Sequence, residues 1–289
     1  MSAFQPDKKN KALPIGIQMY KAFREGFSLK KLIEKIKNRK ATASVLALAV
    51  LTALIFWATN SPAVVGVSAS ARQLPIYCVQ RDDKTVALSF DAAWGNEDTQ
   101  QLIDILKKYN VNATFFVVGQ WAEKYPESVK ALHEAGNEVM SHSDDHAHFS
   151  KLSADEIKSN ITASNKKIQA ATGTAPTLFR CPYGEYNDTV ISTVNAMGMT
   201  AIQWDVDSLD WKGIGAKEIS ERVLKSVKPG SIVLFHNAAE NTPEALPTII
   251  EALLADGYSI VPVSQILLSG DYMIDNTGMQ CRANNDRTT

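Results

Sequence analysis

Short apolar, β-rich runs alternate with helix-like patterns along residues 85–263 of this 289-residue chain. Each run has the length of one strand, and the intervening segments repeat apolar residues at the spacing of an amphipathic helix. Strands that alternate with helices build parallel sheets from βα units. The pattern therefore predicts an α/β domain with seven strands. The runs are 85–90, 112–118, 137–141, 177–180, 199–205, 231–235 and 258–263.

The helical patterns lie between these runs, and Pro126 and Pro247 fall inside two of them. Proline breaks or kinks a helix interior, so both patterns are expected to be kinked or shortened. The roughly 215 residues after residue 73 are few for an eight-fold β/α barrel but suit a seven-fold barrel or an open sheet. The helical patterns are 98–109, 119–135, 153–172, 188–197, 216–227 and 243–256.

Basic residues are concentrated in the first 40 residues of the chain, and an uncharged segment follows them. Residues 1–40 hold 11 Lys/Arg and 3 acids, whereas residues 41–71 hold no charge at all. An uncharged run of about 20 residues is what a bilayer-spanning helix needs, and basic residues stay on the cytoplasmic side. We therefore expect a basic cytoplasmic arm (1–40), a transmembrane signal anchor (41–60), a linker (61–73), an outer domain (74–270) and a C-terminal tail (271–289).

A cleaved signal peptide is the alternative for this N-terminal region, because Ala69-Ser70-Ala71 resembles a cleavage site. The basic leader of 40 residues is long for a signal peptide, which favours the uncleaved anchor. The formal net charge of the whole chain is -1, which argues against a nucleic-acid-binding protein.

Charged and imidazole side chains follow five of the predicted strands. The carboxyl ends of parallel strands converge on one face of the sheet, and that face carries the active site in α/β proteins. The sequence therefore predicts one reactive site built from several loops. In strand order, its candidates are Asp91; His142, His146 and His148; Arg180; Asp205, Asp207 and Asp210; and His236.

His142 and His146 are the candidate metal ligands. On a helical turn, residues four apart share a face, so both imidazoles can reach one ion. Imidazole suits zinc, cobalt or nickel. Such an ion generates hydroxide from water near neutral pH and polarises a carbonyl group.

Asp91 and His236 are the candidate acid–base pair. Arg180 on a nearby strand can keep Asp91 ionised, although an Asp–Arg bridge can also be purely structural. His236 can act as a general acid if Asp207 or Asp210 pairs with it, and otherwise it is a core histidine. The turn at residues 180–184 joins a Pro to a Gly and can aim a backbone N–H into the site.

Five segments, in order, resemble the five motifs of the polysaccharide deacetylase (NodB-homology) carbohydrate esterases. The FDAAWG form of the first motif is similar to that of the membrane-anchored sporulation-type deacetylases of spore-forming bacteria. The resemblance covers residues 85–265 and implies a distorted (β/α)7 barrel. The segments are SFDAAWG (89–95), HSDDH (142–146), RCPYG (180–184), DSLDW (207–211) and LFH (234–236).

The resemblance also implies an activity, namely metal-dependent hydrolysis of N-acetyl groups on a cell-wall glycan. The expected partner is the glycan; the net charge predicts no nucleic-acid partner, and no protein partner is deducible from the sequence. The implied roles are catalytic base for Asp91, metal ligands for His142 and His146, orientation of the base for Arg180, oxyanion binding for the Tyr183 N–H, tuning of the acid for Asp210, acetyl-pocket walls for Trp211 and Leu234, and general acid for His236.

Ala92 departs from the family pattern, which has a second Asp here as the third metal ligand. Metal binding is therefore expected to be weak or absent unless a water or another carboxylate completes the site, the candidate carboxylates being Glu97, Asp98, Asp144 and Asp145. Two other functions stay open. One is a glycan-binding pseudoenzyme, which the alanine favours, and the other is an O-acetyl esterase on a xylan-like glycan.

Overall fold

The computed structural model describes residues 39–60 and 72–283. The chain divides into two compact units, and each is described by itself. The first contains helix α1, Arg39–Asn60. The second contains all of the remaining elements described here. Most of the predicted basic arm (1–38) and most of the predicted linker (61–71) lie outside the described residues.

Helix α1 covers the uncharged segment for which the sequence predicts a membrane anchor. Over residues 39–60 and 72–283, none of the helices combines the length and the apolar character that crossing a membrane requires. The predicted transmembrane helix over residues 41–60 is therefore not confirmed.

A parallel sheet forms the centre of the second unit. Its strand order is β6-β5-β4-β3-β2-β8-β7, and β9 pairs with the start of β2. Every pairing in this sheet is parallel, as the alternating pattern predicts. The strands are β2 (Thr85–Ala92), β3 (Thr114–Val117), β4 (Glu138–Ser141), β5 (Leu178–Phe179), β6 (Thr200–Ala201), β7 (Val206–Asp207), β8 (Ile232–His236) and β9 (Ser259–Ile260).

Helices connect the successive strands of this sheet except β6 and β7, and they follow the predicted patterns closely. The pattern over residues 119–135 forms two helices, because Pro126 takes the first position of the second one. Pro247, in contrast, lies within an unbroken helix. The helices are α2 (Thr99–Lys108), α3 (Gly119–Lys124), α4 (Pro126–Glu134), α5 (Ala154–Thr172), α6 (Asp188–Ala196), α7 (Ala216–Ser226), α8 (Thr242–Ala255) and α9 (Val263–Ile266).

The sheet is curled, and the run at residues 199–205 shows why. It forms two short strands, β6 and β7, at the opposite edges of the strand order instead of the single strand predicted. Four linking residues span at most about 17 Å, whereas the edges of a flat sheet of this order would lie about 29 Å apart. The edges must therefore face each other, which gives a curled parallel half-barrel consistent with the (β/α)7 architecture that the sequence predicts.

The alternation of side chains along β2 separates the core from the site. Val86, Leu88, Phe90 and Ala92 belong to the apolar cluster that packs against the helices. The Phe90 ring stacks on Phe115 and Phe235, with ring centroids 4.7 and 5.4 Å apart. Ser89 and Asp91, which alternate with these residues, contact Arg180 on the other face of the sheet. Polar groups therefore enter the mouth of the half-barrel from the same strand that builds the core.

A second, three-stranded sheet joins the two ends of this unit. Strand β1 (Cys78–Val79) pairs in parallel with β11 (Met279–Arg282), which pairs antiparallel with β10 (Tyr272–Ile274). The segment assigned from the sequence to a C-terminal tail, 271–289, therefore includes two strands. Gln280 is buried, and its side-chain amide bonds both the N–H and the carbonyl of Leu268.

Candidate active site

The loops that follow the parallel strands surround a pocket of about 440 Å³. Seven of the nine residues to which the sequence analysis assigns a site role line it, and the other two, Arg180 and Asp210, lie behind it as hydrogen-bond partners. The lining residues are Asp91, Trp94, His142, His146, Tyr183, Trp204, Asp207, Trp211, Leu234 and His236.

Asp91 is a buried carboxylate held by a buried guanidinium. Arg180 Nη1 donates to Asp91 Oδ1 at 2.8 Å, and Nη2 donates to Ser89 Oγ at 2.9 Å and to the Gln203 carbonyl at 3.1 Å. Burial raises the pKa of Asp91, but His142, Arg180 and His236 outweigh it and bring that pKa below its ordinary value. Asp91 is therefore an oriented, ionised carboxylate at the floor of the pocket.

His142 and His146 face the same pocket from the loop after β4. The Nδ1 atom of His142 lies 2.9 Å from the Arg180 carbonyl, so it carries the proton and leaves Nε2 as the acceptor atom. This Nε2 lies 3.5 Å from Asp91 Oδ2. The two ring centroids are 5.0 Å apart. His146 adopts a left-handed backbone, with φ of 58°.

Burial keeps both imidazoles neutral. It is the largest influence on each ring, and it lowers the pKa of His142 and brings that of His146 to about 4. Neutral imidazole is the form that binds a metal ion. Two neutral imidazole nitrogens are therefore suitable ligands for a divalent cation.

His142 and His146 make two candidate metal ligands, whereas a typical catalytic zinc site has three ligands from the protein. Within residues 39–60 and 72–283, no group of three or more His, Cys, Asp or Glu side chains is placed to hold a metal ion. Ala92 is buried in the helix-facing apolar cluster. The two imidazoles therefore fit a weakly held ion.

None of the four acidic residues predicted as substitutes lines the pocket. Asp98 accepts from the Ala238 N–H at 2.9 Å, and Glu97 accepts from the Asn96 N–H. Asp144 pairs with Lys167 at 2.9 Å, and Asp145 accepts from the Asn160 side chain. Each of these four acids is therefore bonded outside the pocket, and the expectation of weak metal binding is unchanged.

His236 at the end of β8 pairs with Asp210 and not with Asp207, which resolves the alternative left open by the sequence. Its Nδ1 lies 2.8 Å from Asp210 Oδ1, and its backbone N–H donates to Asp210 Oδ2 at 2.8 Å. Burial lowers the pKa of His236, but the hydrogen bond and charge of Asp210 and the charge of Asp91 raise it above its ordinary value. The raised pKa favours the protonated ring, which is the form that can donate a proton.

Aromatic and apolar side chains form the walls. Tyr183 has a left-handed backbone with φ of 59°, in the Pro–Gly turn. Trp211 directly follows Asp210, and the Trp211 backbone N–H donates to Asp210 Oδ1. Leu234 lies on strand β8. Trp94 and Trp204 also line the pocket and were not predicted. Trp94 lies within the SFDAAWG segment, but a tryptophan in a loop has no periodicity to identify it.

Besides Arg180 and Asp210, two strand-end candidates do not line the pocket. Asp205 accepts from Ser231 Oγ and from the Ile232 N–H, both at 2.9 Å, so it joins two strands. His148 lies 3.0 Å from Glu185 on the surface, and its ring stacks on Tyr183. Their position after a strand is thus explained by structural contacts.

Comparison with known proteins identifies the fold's relatives. The polysaccharide deacetylase family model matches residues 79–202. The peptidoglycan-N-acetylmuramic acid deacetylase PdaC of Bacillus subtilis is 38% identical over 65% of this chain and 40% of its own length. The chain spans about two fifths of the length of the first curated relatives that it matches.

Solved structures agree with this similarity. The PdaC structure is 38% identical, with a TM-score of 0.60 and coverage of 65% of this chain and 92% of that one. A CE4 family pseudoenzyme from Bacillus anthracis is 36% identical, with a TM-score of 0.64 and coverage of 66% of this chain and 68% of the other. A mutant of that pseudoenzyme is described as having restored enzymatic activity.

Proposed function

Because the chain belongs to the polysaccharide deacetylase family, we propose that it removes N-acetyl groups from a cell-wall glycan by hydrolysis. The observation that carries the proposal is the convergence of an ionised carboxylate, two neutral imidazoles and a proton-donating imidazole on one pocket. Relatives named as peptidoglycan N-acetylglucosamine and N-acetylmuramic acid deacetylases support the choice of substrate. The product pair is acetate and a free amino sugar.

Asp91 and His236 divide the proton transfers. The Asp91 carboxylate takes a proton from water, whose oxygen attacks the acetyl carbonyl carbon. The carbon–nitrogen bond then breaks, and protonated His236 gives its proton to the leaving amine. Arg180 holds the base in place and Asp210 holds the acid.

The walls of the pocket bind the acetyl group and its developing charge. The Tyr183 backbone N–H is proposed to donate to the oxyanion of the tetrahedral intermediate. Trp211 and Leu234, which line the pocket, are proposed to enclose the acetyl methyl group. We propose that the acetyl amide then lies between Asp91 and His236.

His142 and His146 are proposed to hold a divalent cation, with zinc preferred and cobalt or nickel as alternatives. When bound, such an ion supplies polarisation of the acetyl carbonyl and activation of water. With two imidazole ligands from the protein, we expect binding weaker than that of a three-ligand site.

A glycan-binding pseudoenzyme is the second candidate. The incomplete metal-ligand set favours it, and so does the 36% identity to a structure described as a CE4 family pseudoenzyme. Under this alternative the pocket binds glycan and releases no acetate.

Acetate release separates these candidates. The protein is incubated with N-acetylated glucosamine oligosaccharides, peptidoglycan and O-acetylated xylan, with added zinc or cobalt and again after chelation. Metal-dependent acetate from an N-acetylated substrate supports the proposal, and release from xylan alone indicates an O-acetyl esterase. Glycan binding without acetate under every metal condition contradicts the proposal and establishes the second candidate. His142→Ala should lose the metal response, and His133→Ala, on helix α4, is the matched control.

The place of action is part of the proposal. A cell-wall glycan lies outside the membrane, and the basic excess of residues 1–40 before an uncharged segment supports export of the domain. Protease accessibility of the domain in intact cells tests this placement. The role is proposed as wall modification, and its timing in sporulation rests on the FDAAWG resemblance. A deletion strain with normal spores would contradict that timing.

A further inference from the structure

The exposed aromatic side chains of the second unit concentrate on one pocket. Trp94, Tyr183 and Trp211 are 58, 57 and 58% exposed, more than any other large hydrophobic side chain described in residues 72–283. All three line the pocket that contains Asp91 and His236. Single exposed apolar residues are ordinary on a protein surface, but a cluster of them around a cleft indicates a ligand-binding surface.

Trp94 is exposed, but its backbone is held firmly. The Asn237 side chain accepts from the Ala93 N–H at 3.1 Å and donates to the carbonyls of Trp94 and Gly95. Trp121 Nε1 also donates to the Trp94 carbonyl, at 3.2 Å. Packing of the core does not require an indole at this place, since over half of it is in solvent. A large ring on a fixed backbone is a preorganised contact surface.

Trp94 begins a continuous series of rings along the rim. Its centroid lies 5.2 Å from that of His146, which lies 4.4 Å from Tyr183. Tyr183 stacks on His148 at 4.4 Å and 14°. The two ends of the series, Trp94 and His148, extend beyond the residues that the proposed acetyl chemistry uses. An acetyl group is too small to need this surface.

The electronic character of the rim favours a sugar. The face of an aromatic ring carries negative potential, which attracts the polarised C–H groups on the face of a pyranose. Polar groups at the floor of the same pocket, Asp91 and Asp207 among them, suit a hydroxylated ligand better than an apolar peptide or lipid.

We propose that Trp94 is a stacking platform for a sugar unit next to the one whose acetyl group enters the pocket, and that the Tyr183–His148 pair contacts the glycan farther along the same series of rings. The ligand is then an oligomer of N-acetylated amino sugars and not a single sugar. This inference rests on the proposed function for its ligand class, but it concerns binding and does not require turnover.

Binding of two probes tests the inference. The full chain is titrated with N-acetylglucosamine and with its β-1,4-linked tetramer by calorimetry, in one buffer. Wild type should bind the tetramer more tightly than the monomer. Trp94→Ala should weaken tetramer binding about tenfold, as for truncation of a central aromatic anchor, and leave monomer binding almost unchanged. Trp94→Phe should recover part of the loss because it keeps a ring.

Tyr272→Ala is the matched control, since Tyr272 is an exposed aromatic outside this pocket. It should bind both probes like wild type, and thermal melts establish that every variant is folded. Equal tetramer binding by wild type and Trp94→Ala overturns the inference, and so does a wild type that binds neither probe. Acetate release is measured in parallel, so that binding with the predicted Trp94 effect but no acetate refutes catalysis alone.

Discussion

At the scale of single residues, one carboxylate decides the chemistry of His236. Asp210 accepts from both the ring and the backbone N–H of this histidine, and the Thr242 hydroxyl donates to Asp210 at 2.7 Å. Burial alone would make the imidazole a weaker base. The Asp210 charge reverses that effect and raises the pKa of His236 above its ordinary value. The ability of His236 to act as the acid in the proposed reaction therefore depends on its pairing with Asp210.

The first prediction concerns the pH dependence that this pair gives. Activity that needs protonated His236 is present below the pKa of the ring and is lost as pH rises through it. Asp210→Asn removes the charge that raises this pKa, so the alkaline limb of kcat/KM should move to lower pH. An NMR titration of the His236 ring should show the same direction of change.

Asp207→Asn is the control for this effect, because Asp207 lines the pocket but its Oδ1 accepts from the Leu209 N–H. It should move the alkaline limb less than Asp210→Asn does. An unchanged limb in Asp210→Asn, with the fold retained, would mean that His236 is not the titrating acid.

The second prediction concerns Asp91. Asp91→Asn removes the proposed base and should lower acetate release by about 10²–10⁴-fold. It also leaves the buried Arg180 guanidinium without its counter-charge, so the thermal midpoint should fall as well. Asp104→Asn, a carboxylate that contacts Gln100 on helix α2, is the control and should change neither quantity much. Full activity in folded Asp91→Asn would remove the proposed role.

At the scale of elements, Asn237 joins the loops that follow two neighbouring strands. It comes directly after β8, and its side chain bonds the backbone of residues 93–95, directly after β2. Its backbone N–H donates to the Asp91 carbonyl at 3.1 Å. The base and the Trp94 ring therefore share one support, although they face different parts of the pocket.

The third prediction follows from this support. Asn237→Ala leaves a partly buried N–H and two carbonyls without these partners, which should cost about 1–3 kcal/mol in the free energy of unfolding. Chemical denaturation measures the loss. Asn112→Ala removes a single 3.2 Å bond to the Ala135 carbonyl and should cost less. Equal costs would show that Asn237 does not hold the loop as described.

At the scale of the whole second unit, a small sheet ties the two described ends of this unit, near residues 78 and 282, to the half-barrel. Strand β11 pairs with β1, and the Tyr77 N–H donates to the Gly278 carbonyl at 2.9 Å. The β1 region also contacts the large sheet. The Val79 N–H donates to the Gly230 carbonyl, and Ile76 forms an isolated parallel β-bridge with Ile202. The half-barrel is therefore supported at its open edge by residues remote in sequence.

The fourth prediction tests this support by truncation. A chain that ends at Gly270 lacks β10 and β11 and should have a lower thermal midpoint, by about 2–4 °C for each kcal/mol of stability that is lost. A chain that ends at Ala283 keeps both strands and is the control. Equal midpoints for the two chains would show that the small sheet contributes nothing to stability.

Local patterns were enough to predict most of the large elements. Helix α5 begins at a capping box of Ser153 and Glu156 and ends at the left-handed Gly173, which are short-range signals. The separation of β6 from β7 was not predictable in this way, because their pairing partners are distant in sequence. The apolar pattern of residues 199–205 is the same for one strand or two.

The sequence by itself determined the parallel α/β architecture and the set of polar residues at the strand ends, because side-chain periodicity and chain order are local properties. Tertiary structure decided which partners those residues take: Asp210 for His236, Asp91 for Arg180, and bonds outside the pocket for the acids near Ala92. The physical reason is that pKa values and ligand sets depend on distances between loops. Those distances are fixed by the curvature of the sheet, which no single segment encodes.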